Sequence, residues 1–278
     1  MKINVWGCRG SLPSPDPENY KYGGNTSCVQ VTHQDTCIIL DGGSGIQRLG
    51  KHLGPEIKEI HILLTHLHID HTMGLGFFLP LYNPNVIVHL WGPSATVEPL
   101  LQRLRRYFSA PLFPVRLNEL PRHPIIHEVD DSDFEIGEVK IRSAYICHPG
   151  PTLGFRLTVG NSVFAYMPDH ELFLGSPNFP NEPNWTSGYE IAKDADLLFH
   201  DAEYNAAEYS SKIGWGHSSM EDAIEFGKMC RVKKLALFHH DPMNSDQKLE
   251  SMIEACTQNR SLDYEVELCA EGNTYDLS

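Results

Sequence analysis

Five short apolar runs in this chain end abruptly in residues that can hold a metal ion or a proton, and no other feature restricts its fold as much. They are Cys37 to Asp41, Ile60 to His66, Val163 to Asp169, Leu197 to Asp201 and Leu235 to His239. Runs apolar on both faces suit buried strands covered by helices. Helical patterns fall between them. Ile46, Leu49 and Leu53 share one face ahead of a Gly54-Pro55 stop, and Thr96 to Phe108 reads as a second helix. Ser218-Ser-Met-Glu221 reads as a capping box opening a helix through Met229, and Leu249, Met252, Ile253 and Cys256 carry the helical spacing near the C-terminus. The first 40 residues, rich in Gly and Pro, read as strands and turns. With no repeat, low-complexity tract or linker, the expectation is one α/β sandwich domain over 1–278, its polar strand ends gathered along one edge where α/β proteins place their chemistry.

Thr65-His-Leu-His-Ile-Asp-His71 sharpens that expectation. Four metal-competent side chains fall within six residues directly after a strand, and imidazole with carboxylate is the donor set of Zn²⁺ and related ions. A His-rich surface loop is the plain alternative, and for an isolated His-x-His it would be preferred. The strand before this motif and the turn after it favour a metal site. The seven cysteines form no CxxC pair, which argues against a disulfide framework and a zinc finger and fits a reducing cytoplasm. The opening MKINVWGCRG lacks the apolar core of a secretory signal, and no apolar run approaches the ~20 residues of a membrane span. A formal charge of −14 opposes non-specific nucleic-acid binding.

These residues resemble the metallo-β-lactamase superfamily, whose fold is an αββα sandwich. The resemblance implies two divalent metal ions, Zn or Mn. His66, His68 and His148 would serve the first and Asp70, His71 and His239 the second, with Asp169 bridging. His240 competes with His239, since one residue of register exchanges them. Asp41, in Leu-Asp-Gly-Gly-Ser-Gly45, matches the family's first motif and would orient ligands from behind. Two ions sharing a hydroxide suit hydrolysis of phosphodiesters, lactones, thioesters or β-lactams.

Gly214-Trp-Gly-His-Ser-Ser219 narrows the choice. It is similar to the GHS(S/T) element of the branch holding ribonuclease Z and cyclic-nucleotide phosphodiesterases, and Leu197 to Tyr204 resembles that branch's strand ending in an acid. The resemblance makes His217, paired with Asp201, the residue that assists the leaving oxygen, with Asp70 also in the catalytic set. A plain helix-preceding histidine is the alternative for His217. The basic, Gly-rich arm with which ribonuclease Z grips tRNA has no counterpart here. The one basic cluster, Arg103, Arg105 and Arg106, reads as a solvated helix face. Trp6 to Pro13, Tyr22 to Cys28 and Met167 to Glu171 resemble a bacterial and phage group that includes the anti-Pycsar nucleases. The resulting expectation is a cytoplasmic phosphodiesterase acting on small phosphodiesters, 3′,5′-cyclic mononucleotides first, and forming a homodimer by family analogy. Three rivals stand beside it: a tRNA 3′-processing endonuclease, a lactonase or thioesterase, and a non-enzymatic metal-dependent sensor. His33, His52, His61, His89, His123, His127 and His170 read as surface or packed residues, and His200 as a neighbour of the site. The aromatic loops Tyr107 to Pro114 and Phe173 to Trp185 read as covers for a base or as an interface.

Overall fold

The computed structural model describes residues 1–174, 179–180, 182–258 and 260–277, so part of the Phe173 to Trp185 loop lies outside the described residues. Two seven-stranded sheets face each other. The first is built from β1 (Lys2–Gly7), β2 (Cys28–His33), β3 (Thr36–Leu40), β4 (Glu59–Leu63), β5 (Ile87–Pro93) and β6 (Ile125–Val129), in that order. The second runs through β7 (Ser132–Ile136), β8 (Val139–Tyr145), β9 (Leu153–Val159), β10 (Ser162–Met167), β11 (Leu197–Asp201), β12 (Lys234–Phe238) and β13 (Glu265–Leu268). The last strand, β14 (Thr274–Asp276), returns to the free edge of β1.

Each sheet starts as an antiparallel meander and turns parallel, from β3 onward in one and from β10 onward in the other. The parallel strands point their C-terminal ends to one edge of the sandwich, so residues far apart in sequence meet there.

Helices cover both outer faces. α1 (Gly45–His52), α2 (Ile69–Thr72) and α3 (Leu100–Tyr107) belong to the first half, and α4 (Tyr189–Ala192), α5 (Ala206–Tyr209), α6 (Met220–Met229) and α7 (Asp246–Thr257) to the second. Apolar packing fills three layers, one between the sheets and one under each helical face. The both-face apolar runs are buried as expected: every residue of β11, and five of the six in β10.

Two boundaries differ from expectation. α3 begins at Leu100, because Pro99 caps it in an extended conformation and the residues before it turn instead. The cap of α6 is Ser219, which accepts from the Asp222 backbone N–H at 3.1 Å, and Glu221 reaches across to the Ala206 N–H. All seven cysteines are free. Among the described residues no helix is long and apolar enough to cross a membrane.

Candidate metal centre

The strand ends deliver seven side chains into one cluster, all buried except His68, which faces the opening. His66, His68, His148 and Asp169 form one group and Asp70, His71, Asp169 and His239 another, the donor atoms within each lying within 4.8 Å of one another. Asp169 belongs to both. His240 does not enter. Its Nε2 donates to the Cys269 carbonyl at 2.8 Å, and the left-handed turn at His239 (φ 60°) swings the His239 ring into the cluster instead. Gly10 lies against that ring so closely that a Cβ would collide with it.

Proton placement decides what these rings can do, because a neutral imidazole carries its N–H on one nitrogen and a lone pair on the other. Asp41 is the main determinant. Its Oδ1 accepts from the Thr65 N–H at 2.8 Å, and its Oδ2 accepts from His71 Nδ1 at 2.9 Å and from the Tyr166 hydroxyl at 3.0 Å. These partners hold Asp41 in a left-handed conformation (φ 61°) that costs a non-glycine residue ~1–3 kcal/mol. The Thr65 hydroxyl donates to Asp41 and so accepts from His66 Nδ1 at 3.0 Å. His148 Nδ1 donates to the Gly216 carbonyl at 2.8 Å, and His239 Nδ1 to Glu203 at 3.3 Å. Four rings thus commit Nδ1 to an outer acceptor and turn Nε2 inward. Those of His66 and His148 face in as lone pairs, while those of His71 and His239 face Asp169 and Asp70, carboxylates that overcome burial and hold both rings well above the ordinary range.

Inside, the fit to cations is direct. His148 Nε2 faces His68 Nδ1 at 3.1 Å. His71 Nε2, His66 Nε2 and Asp169 Oδ1 are buried without a hydrogen-bond partner of acceptable geometry. Buried polar atoms rarely stay unpaired, and inward lone pairs beside carboxylates call for positive charge. Burial pushes His148 down to about 4 and His66 well below the ordinary range. Burial alone would raise Asp169, but His239, His71 and His66 around it hold it well below the usual carboxylate range.

A model of the beta-lactamase superfamily domain matches residues 38–240, which spans every one of these side chains. The chain belongs to the metallo-β-lactamase superfamily. It is similar to ribonuclease Z of Haloarcula marismortui, with 23% identity over 285 residues covering 86% of each protein. Its fold matches the metallo-β-lactamase fold protein YhfI of Bacillus subtilis (TM-score 0.72, 17% identity, 99% and 98% coverage). It also matches the short form of human tRNase Z (TM-score 0.67, 20% identity, both chains covered in full).

On this superfamily scaffold the element around His217 lies directly against the histidine–carboxylate cluster. The His217 ring stacks on His239 at 4.8 Å and meets His148 edge-on at 5.3 Å. His217 Nδ1 lies 2.7 Å from Asp201 Oδ2 and 3.1 Å from Glu203 Oε2. Burial would lower the ring's pKa, but Asp201, with Glu203 behind it, raises it to about 9. Asp201 is itself fixed by the backbone N–H groups of His170, Glu203 and Ser218.

Three contributors escape the sequence patterns. Glu203 touches both His217 and His239, and its position two residues past Asp201 was the available clue. Glu171 accepts from the N–H groups of Gly214 (2.8 Å) and Gly216 (2.9 Å) and from the Tyr209 hydroxyl, pinning the turn that carries His217. Gly216 there has φ 92°, and a Cβ would strike the His148 ring. Tyr166 supports Asp41 from mid-strand.

On the basic helix face Arg105 and Arg106 are solvated as expected, and Arg103 is half-buried. Arg103 and the exposed Arg106, with Tyr107 and Leu112, line a cavity of about 400 Å³ whose other wall holds His66, His68 and Pro149 to Pro151. Arg103 is tied to the carbonyls of Glu98 and Pro93, and Arg106 pairs with Glu98 at 2.7 Å. His170 is packed as expected, buried with Nδ1 2.9 Å from His200 Nε2. His61 and His89 gather around Glu59 away from this edge.

Proposed function

We propose that this hydrolase cleaves small phosphodiesters, 3′,5′-cyclic mononucleotides first, to monophosphates, with His66, His68, Asp70, His71, His148, Asp169 and His239 holding two divalent ions. When bound, such ions polarise phosphoryl oxygens and bring the pKa of an attacking water from ~15.7 toward ~7. The observation that carries the choice of phosphodiester is His217, a histidine with two carboxylates on Nδ1 that lies against the proposed centre. With Nδ1–H committed to Asp201, Nε2 is the nitrogen that carries the transferable proton. Asp201 and Glu203 favour the protonated ring against its burial, and a cationic ring pairs with a phosphate and protonates an alkoxide as it departs.

Asp70 Oδ2 is fixed beside His71 and His239 by the Ser11 N–H at 2.9 Å, and a carboxylate held there can orient an attacking water. The adjoining cavity, about 400 Å³ with Arg103 and Arg106 on one wall, suits one small anionic ligand. A formal charge of −14 disfavours a long polyanion.

The ribonuclease Z relatives favour a second reading, endonucleolytic cleavage of tRNA precursors. The two separate cleanly. Zn²⁺- or Mn²⁺-loaded protein is incubated with cyclic AMP, GMP, CMP and UMP, and in parallel with precursor tRNA and a lactone. Linear monophosphates support the proposal, whereas cleavage of precursor tRNA alone transfers the site to the second reading. On the first reading, Arg106→Ala raises KM for the cyclic nucleotide by about 3–10-fold and leaves kcat within about twofold, the pattern of lost uniform binding.

A further inference from the structure

We infer that the starting ends of β4 and β5 carry another binding site, for a borderline divalent transition ion such as Zn²⁺, Ni²⁺ or Cu²⁺, formed by Glu59, His61 and His89. The parallel register sets His61 beside His89, and strand alternation puts Glu59 on the same face two residues earlier. That face points between the sheets, since Leu63 farther along it joins the inter-sheet core while Ile60 and Ile62 pack under the helices. The cluster therefore lies at the opposite ends of these strands from His66.

Its three donor atoms lie within 4.8 Å of one another. Glu59 Oε1 is 2.9 Å from His89 Nε2 and 3.5 Å from His61 Nε2, and the two rings stack at 4.3 Å. His89 Nε2 is buried and, despite the near carboxylate, has no partner in hydrogen-bond geometry. His127 Nε2 stands 2.9 Å from His89 Nδ1. When His127 accepts there, the His89 proton is fixed on Nδ1 and the Nε2 lone pair is free to coordinate, the arrangement of histidines that bind metals. Two imidazoles and one half-exposed carboxylate, with water completing the shell, suit this class of ion.

His61 supplies a built-in competitor. The Trp91 indole N–H donates to His61 Nδ1 at 3.2 Å, which leaves the neutral ring's proton on Nε2. Coordination through Nε2 moves that proton to Nδ1 and breaks the indole contact. Removing the indole donor should therefore strengthen binding, which a chance surface site would not do.

The test uses full-length protein whose main centre is already saturated with Zn²⁺, titrated with Ni²⁺ by calorimetry and by tryptophan fluorescence. One further saturable equivalent with fluorescence quenching is expected. His89→Ala abolishes it, Glu59→Gln weakens it at least tenfold, and Trp91→Phe tightens it several-fold while removing most of the quench. Glu59 is exposed, so Glu59→Gln reports even if His89→Ala does not fold. No further equivalent in the wild type, or one unchanged in Glu59→Gln and Trp91→Phe, overturns the inference.

Discussion

The two ends of β4 both present histidines beside carboxylates, yet they differ in where the protons sit. At the end leading to His66, acceptors on Asp41, Thr65, Gly216 and Glu203 take the Nδ1 protons and aim the Nε2 atoms at a common space. At the starting end, Trp91 donates to His61, and Glu59 faces the opposite nitrogen. The donor types are nearly the same, so the surrounding hydrogen bonds, more than the ligands, set how strongly each end can hold an ion. The first end is prepaid with buried, oriented partners, and the second must rearrange to bind.

The largest break in that contrast comes from Asp169, the residue common to both donor groups. Asp169→Asn should lower bound metal from about two equivalents to below one and turnover by roughly 10³ or more, measured by elemental analysis beside kinetics. Retention of two ions would remove Asp169 from the bridging position.

Asp41→Ala comes next. It strands the Thr65, His71 and Tyr166 donors in a buried setting, so stability should fall by about 3 kcal/mol. Metal affinity should fall ~10–100-fold, because His71 loses the acceptor that fixes its tautomer. Urea unfolding and competition with a chelator measure the two effects separately.

Glu203→Gln is smaller and more selective. Gln keeps an acceptor for His239 but removes the second negative charge from His217, so kcat should fall about tenfold with KM within twofold. An unchanged kcat would leave Asp201 as the sole support of His217.

The smallest effect belongs to the other end of β4. Burial, then His89, hold His61 down to about 4 against the pull of Glu59, with His127 adding to the depression. The native ring is neutral where the unfolded ring, with a pKa near ~6.5, takes up a proton. In metal-free protein, stability is therefore lost as pH falls from ~6.5 toward ~4. Solvent screening at this partly exposed site limits the loss to about 1–2 kcal/mol. His61→Gln should flatten the difference in urea midpoint between pH 7.5 and pH 5, and an unchanged difference would place the titration elsewhere.

The His66 end of this contrast was legible in the sequence, and the reason is local. Thr65 to His71 is contiguous, and Asp169, Asp201 and His239 each close an apolar run, so strand ends announced these residues, whereas His148 came from the family resemblance alone. The choice between His239 and His240 was not legible, because the left-handed turn at His239 arises from packing against Gly10 and the bond from His240 to Cys269. Glu171 acts on backbone N–H groups more than forty residues away, a role with no side-chain pattern. Arg106 is solvated as read, but the half-burial of Arg103 was not legible, because the periodicity of α3 gives no hint that a cavity adjoins it. The cluster of Glu59, His61 and His89 depends on the register between β4 and β5, which neither strand encodes alone.

The central claim is that His217 protonates the leaving oxygen of a phosphodiester, and leaving-group dependence tests it most directly. Wild type and His217→Ala, both shown to hold two Zn²⁺, are compared on a cyclic mononucleotide and on bis(p-nitrophenyl) phosphate, whose phenolate departs without a proton. The account predicts a loss of ~10²–10⁴ in kcat on the cyclic nucleotide and less than tenfold on the aryl ester. Equal losses on both substrates would contradict it, making His217 a binding residue with no part in proton transfer.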